Sequence, residues 1–439
     1  MLGLLTALDT LLAAAFGAGN FEAYGAWTQT ASAVVSALSI PVSVFLGVAT
    51  TPLLLAIGQD ATLSKLAGRY CAHLTWGLLP YYLFIVAMKF MQTQRVLAPP
   101  VWIAVIANVV NVGLNYALIY AADLGFDGAP IATSASRWFQ FIAGMTYLLS
   151  RPASTAKTRP RSFIGWRRLR RSVVAFASLA GPGLAMLMIE AWTFEITTIM
   201  AGYLGTVALD AHLTMLQLAT FSFLSLPFAV AAAATIRIGA ALGGGDAAAA
   251  KDAAAITFAV SLGFMAICGV IFAACADYLG YLFTDDEEVV RAVAEIAYIA
   301  ALFQLADGGQ ARQRGAAGGV FRGMGKQLTV MKRNLLGFWV LGLPAGGLLC
   351  FVAGMRLPGL WWGLTVGLSV TTAISVAHLS MIDWELERDL AIERGLKNGS
   401  RDGDGDADGG DDADDDNVVA EAACVRGERE NGGKYDNVV

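Results

Sequence analysis

Three carboxylates stand deep in apolar sequence. Glu190 and Glu195 lie in "LAGPGLAMLMIEAWTFEITTIMAGYLG" and Asp307 in "ALFQLADGGQ"; a fourth acid, Asp9, follows "MLGLLTAL". An ionisable group at mid-bilayer costs about 2.5–3.5 kcal/mol on insertion scales, so its retention points to function. Two carboxylates in a dry cavity repel each other and lose hydration. Both effects raise the pKa, so each acid can hold a proton near neutral pH and release it on facing the other side. A bound organic cation favours the ionised form, so proton and cation compete for one charge. That is the chemistry of a cation–proton antiporter. Glu195 follows Glu190 by five residues, about 140° around an ideal helix, so the two need not share a face. Gln217, in "MLQLAT", is a lone polar residue able to line the cavity or to bridge helices. Trp192 and Phe194 are placed to stack on a flat aromatic substrate. The competing reading for each acid is a buried carboxyl satisfied by a Tyr, Ser or backbone partner, and it weighs most on Asp9.

Such acids need membrane helices to carry them. Of 439 residues, 56% are hydrophobic and 15% charged, with mean hydropathy +0.58, whereas a soluble chain carries roughly a quarter charged residues. Apolar runs of bilayer length give eleven expected spans, near 1–18, 29–57, 68–92, 99–122, 128–149, 172–203, 209–236, 252–276, 289–321, 328–353 and 359–383. The expected class is an all-α polytopic membrane protein. Its basic residues sit in short loops between spans, which excludes a soluble enzyme or a nucleic-acid binder; no catalytic role is expected. Cys71, Cys268, Cys275, Cys350 and Cys424 form no CxxC pair, and His73, His212 and His378 are dispersed. No metal site is therefore expected, and no cofactor beyond a coupling proton or sodium ion. Pro41, Pro80, Pro182, Pro227 and Pro344 fall in or beside spans as hinges or static kinks. Trp361 and Trp362, near a span end, are expected as interfacial anchors.

Alternate loops differ in charge. Loops 19–28, 93–98, 150–171, 237–251 and 322–333 hold fifteen Lys or Arg, and the opposite set holds four. The positive-inside rule places the first set in the cytoplasm. The longest basic stretch then divides the chain into a five-span N-terminal lobe (1–150), a basic cytoplasmic linker (151–171) and a six-span C-terminal lobe (172–385). An acidic tail follows at 386–439, expected to be cytoplasmic and disordered. From 401 to 439 there are 13 acidic and 4 basic residues, a net of −9 within a chain total of −5, so the membrane body is +4. Asp404, Asp406, Asp408 and Gly409 mimic a calcium loop, but position twelve is Asp415 rather than Glu and no amphipathic helix pair flanks it, so a solvated tail is the expectation.

An internal repeat supports two homologous lobes. "TLLAAAFGAGNFEA" (10–23) resembles "IRIGAALGGGDAAA" (236–249) at a shift of 226, and "MKFMQTQ" resembles "FRGMGKQ" at a shift of 233. "LGFDGAP" also resembles "LPGLWWG". Parallel repeats of this kind characterise transporters with a site near the bilayer midplane. Eleven spans with a cytoplasmic C-terminus put Met1 on the far side. A six-span repeat likewise asks for one more span, so a first helix upstream of Met1 is expected to be missing.

"TALDTLLAAAFGAGNFEAYG", "KFMQTQ", "GPGLAMLMIEAWTFEI", "YLFTDDEEVV" and "FRGMGKQ" resemble the multidrug and toxic compound extrusion (MATE) family, in its eukaryotic branch, over residues 1 to about 385. The resemblance implies two pseudo-symmetric six-helix lobes and rocker-type alternating access. It also implies export of organic cations, xenobiotics or secondary metabolites in exchange for protons or sodium. It carries the family's acidic pair onto Glu190 and Glu195, a further acid onto Asp307 and a polar cavity position onto Gln217. A monomer in a plasma or vacuolar membrane is expected. In two respects the chain departs from the family. The family's first helix is expected to be missing, and "RQRG" (312–315) adds four residues between Asp307 and Arg322, about 1.1 helical turns. A sodium-coupled antiporter, a lipid or polysaccharide flippase of related fold, and a truncated non-transporting product are the alternatives.

Overall fold

In the computed structural model, the described residues are 1–150, 158, 163–310 and 316–400. Arg312 and Arg314 of the inserted "RQRG", most of the basic linker, and the acidic tail from 401 with its calcium-like aspartates lie outside them.

The apolar runs become helices. In the first half these are α1 (Thr6–Gly17), α2 (Phe21–Ala56), α3 (Ala61–Thr75), α4 (Leu78–Thr93), α5 (Ala98–Ala121) and α6 (Gly128–Ser150). The second half holds α7 (Trp166–Tyr203), α8 (Thr206–Ser225), α9 (Pro227–Gly243), α10 (Ala247–Ala274) and α11 (Glu287–Gln310). It continues with α12 (Ala316–Gly323), α13 (Gln327–Val352), α14 (Arg356–Ser380) and α15 (Trp384–Ser400). Among the described residues, eight spans are long and apolar enough to cross a membrane, or nine if α3 and α4, bent by 45° at their junction, count as one. Among the described residues the expected spans fall on helix, but not all meet that test. Helix α1 has only 12 residues, and α6 carries Thr133, Ser134, Ser136, Arg137 and Gln140, which dilute its hydropathy. Residues 1–396 form one compact unit.

The chain breaks where its sequence dictates. Asn20, Asp60 and Asp246 each accept a backbone N–H in the first turn of α2, α3 and α10, at 2.8–3.0 Å, satisfying donors that a helix start leaves free. Pro227 opens α9, and Pro344 in α13 lies between two π-helical stretches, Leu335–Gly342 and Leu348–Val352.

The 226-residue repeat has a physical counterpart. Helix α1 ends at Gly17, turns through Gly19 (φ 69°) and restarts under the Asn20 cap; α9 ends at Gly243, turns through Gly245 (φ 86°) and restarts under Asp246. The two helices also pack on each other. A Cβ added to Gly17 would lie 2.7 Å from the Cα of Ala240, and one added to Gly243 would lie 2.9 Å from the Cα of Ala14. These contacts exchange under the same shift, so α1 and α9 meet about a local twofold. The join sits at the end of the molecule that carries the basic loops. Beside it, the Thr10 hydroxyl donates to the Arg322 carbonyl (2.5 Å) and accepts from Gln327 Nε2 (2.9 Å), all three residues being buried.

Candidate functional site

Helix α11 carries the most deeply placed acid. Its buried positions Val293, Ile296, Ala297, Ala300, Phe303, Gln304 and Asp307 recur at three- and four-residue spacing, the signature of one helical face. That face turns toward α8, α10 and α14, so Asp307 is fully buried within the second half of the chain.

Helix α7 sorts its two glutamates by angle, as their separation requires. Glu190 is half-buried, on the side where Thr193 and Thr197 are buried and Phe194 packs against the core. The carbonyl of Ile189, its neighbour, accepts the indole N–H of Trp339 at 3.0 Å, which fixes this turn of α7 to the first π stretch of α13. Glu195 is exposed, in a stripe with Met188, Trp192 and Ile199. Gln217 is exposed on α8 between Leu213 and Phe221. The two aromatic candidates therefore differ, Trp192 presented outward and Phe194 committed to packing.

Asp9 pairs with Lys89 of α4, both side chains being largely shielded. Its charge is spent on a structural ion pair. Trp361 corrects the interfacial expectation. It is fully buried, meets Phe303 and His212 edge-on at 5.6 and 5.8 Å, and anchors the core of the second half. Helix α11 packs against α14 and brings Phe303 onto this ring, which covers a tryptophan that span position alone would put at the membrane surface. His378 stacks edge-on against Phe321, and His73 lies 3.9 Å from Asp127. The described cysteines are all free, and among the described residues no group of three or more His, Cys, Asp or Glu is placed to hold a metal.

Several further shielded polar residues are basic or neutral rather than acidic. Arg137 lies inside α6 with its guanidinium 4.8 Å from the Tyr81 ring centroid, a cation–π contact. Arg333 is buried 4.0 Å from the Phe321 ring centroid and donates to Ser375 Oγ at 2.9 Å. Gln304 is fully buried one turn before Asp307. Arg137 was readable as a charge inside an apolar run. Gln304 was not, because a neutral amide barely marks a hydropathy profile. Taken together, the second half holds buried and half-buried carboxylates, buried neutral polar groups and two buried arginines, Arg322 and Arg333, and its carboxylates are suited to binding and releasing a small cation.

Known proteins share this arrangement of helices. The MatE family model matches residues 1–117 and 182–347. Multidrug and toxin extrusion protein 2 of Mus musculus is 32% identical over 385 residues, covering 87% of this chain and 65% of the mouse protein. The Oryctolagus cuniculus protein of the same name is 31% identical over 391 residues, covering 89% of this chain and 63% of the rabbit protein. The chain thus spans a little under two thirds of the length of these relatives. Among solved structures, the eukaryotic MATE transporter AtDTX14 superposes with a TM-score of 0.81 at 28% identity, over 90% of this chain and 86% of that one. The Vibrio cholerae MATE transporter VcmN, in its bent form, gives 0.71 at 20% identity over 90% and 86%, a likeness of fold.

Proposed function

The chain belongs to the MatE family of multidrug and toxin extrusion transporters, and from that premise we propose that it is a secondary active antiporter. It exports organic cations, xenobiotics or secondary metabolites in exchange for protons, by alternating access between an N-terminal and a C-terminal lobe. The observation that carries this reading is the buried carboxylate of Asp307 in the second half of the fold, with half-buried Glu190 on α7.

The mechanism follows from charge. With Glu190 and Asp307 ionised, the interior attracts a cation, and a drug-sized cation entering from the basic-loop side supplies the countercharge. Protons arriving from the opposite side neutralise the acids, weaken that attraction and release the cargo. Each ion stabilises the conformation that holds it, so transport is stoichiometric exchange. Glu195 and Gln217, on exposed stripes, contribute to the entrance surface; Trp192 stacks on planar substrates. The protein works as a monomer in the lipid bilayer.

The test is efflux of a cationic dye from proteoliposomes under an imposed pH gradient, with a sodium gradient as the second arm. Wild type should respond to the pH gradient. Glu190→Gln combined with Asp307→Asn should abolish the response, and unchanged efflux in the double variant would sink the assigned mechanism.

A further inference from the structure

Gln304 is fully buried, and neither its amide nitrogen nor its amide oxygen has a hydrogen-bond partner among the described residues. A carboxamide offers two donors and two acceptor lone pairs, and each buried group left unsatisfied costs about 1–3 kcal/mol. No packing argument calls for that cost, since Leu or Met would fill the same volume. The neighbouring helices repeat the condition. Ser261 Oγ on α10, both ring nitrogens of His212 on α8 and the indole nitrogen of Trp361 on α14 are likewise buried without a protein partner among the described residues. Phe303, adjacent to Gln304, stacks on Trp361, and Trp361 meets His212. Buried polar atoms of this kind therefore occur on α11 and on three helices packed against it.

Asp307 and Gln304 share the buried face of α11. Three residues apart, they are separated by about 60° of rotation and about 4.5 Å of rise, so both head groups address the same region. Helix α10 comes close at this level. A Cβ on Gly269 would lie 2.9 Å from the Ala301 carbonyl oxygen and 3.8 Å from Gln304 Cβ, and one on Gly308 would lie 2.8 Å from Met265 Cβ. One carboxylate with neutral oxygen and N–H groups around it balances a single positive charge.

We propose that Gln304 is a positioning residue for the coupling ion: its carboxamide and the Asp307 carboxylate together hold one small monovalent cation, a water-borne proton or a sodium ion, inside the second half of the molecule. This rests on the antiport reading above and names a residue that completes its coupling site. For a proton, the amide holds the water that delivers it. The hydronium proton passes to a carboxylate oxygen, leaving a neutral carboxyl and a neutral water still bound to Gln304. For sodium, the amide oxygen and a carboxylate oxygen are direct ligands. The other titratable groups presented here are Cys268 from α10 and His212 from α8, both buried. Helix α12 brings buried Arg322, α14 ends at half-buried His378, and Glu295, Asp210, Lys251, Asp252 and Arg356 are exposed.

The experiment uses the full chain in proteoliposomes and efflux of ethidium. One arm varies external pH in sodium-free buffer; the other varies sodium at constant pH. Gln304→Leu and the closer isostere Gln304→Met remove the amide without adding charge, so either serves if the other folds poorly. In the arm that drives wild type, both should need about tenfold more ion for half-maximal efflux, matching loss of one hydrogen bond to a charged group, with ethidium affinity unchanged. Gln304→Asn should recover part of that shift, which a purely space-filling role would not allow. An unmoved ion midpoint, or a shift in ethidium affinity with the ion midpoint unmoved, would overturn the assignment. Wild type responding to neither gradient would instead refute the antiport reading itself.

Discussion

Gly17→Ala should open the basic-loop end of the molecule. The added methyl would lie 2.7 Å from the Cα of Ala240, where two carbons need about 3.5–4.0 Å. The contact is backbone, with no flexible side chain to yield, so α1 and α9 must separate by about 1 Å. Overpacking of this kind costs about 1–3 kcal/mol. The cost falls only on the conformation in which the two helices touch. A conformation with this end apart is spared it, and its population relative to the closed form should rise about 5- to 150-fold. Spin labels at Arg95→Cys and Lys251→Cys, both exposed at this end, would report it through their distance distribution, with the native cysteines replaced. Gly243→Ala, whose methyl would lie 2.9 Å from the Cα of Ala14, should act in the same direction. Distance distributions identical to wild type in both variants, in folded protein, would refute the claim that this contact closes the molecule.

Other outcomes are expected. Lys89→Met should destabilise the fold by about 3–5 kcal/mol by stranding Asp9, whereas Lys89→Met with Asp9→Leu should recover most of the loss, because a shielded ion pair contributes little over apolar groups of similar volume; thermal unfolding in detergent reads both. Trp361→Ala should cost about 3–5 kcal/mol, as removal of a buried tryptophan does, where loss of an interfacial anchor would leave the unfolding temperature nearly unmoved. Asp60, outside the membrane, accepts from the Leu63 and Thr62 amides, which hold its carboxyl below the usual carboxylate value. A depressed folded-state pKa means that this cap contributes fully above about pH 3.9 and is lost as pH falls through the lowered value. The stability gap between wild type and Asp60→Ala should therefore be flat from pH 7 to about pH 4 and shrink below that.

Most of the helices were legible in the sequence, because apolar runs and helix caps are local signals. The angle between Glu190 and Glu195 was legible too, since 100° per residue leaves no freedom once the helix is granted. What a linear reading could not supply was the neighbour. For Asp9 a structural partner was the favoured expectation, but only packing identifies it as Lys89, 80 positions away. Trp361 looked interfacial until α11 covered it. Gln304 had no local signature at all, since its interest lies in the lack of a protein partner among the described residues, which only packing reveals. The π stretches around Pro344 were equally silent, because they depend on how α13 accommodates α14.

The reciprocal contact of α1 and α9 also constrains how this chain can change over time. Gly17 rests on Ala240 as Gly243 rests on Ala14, so each duplicated segment is the template for the other. An added Cβ at either glycine meets backbone atoms of the facing alanine, so no smaller residue opposite can make room. However far the two halves drift elsewhere, these two positions should not. In related sequences that keep the contact, positions 17 and 243 should both remain Gly.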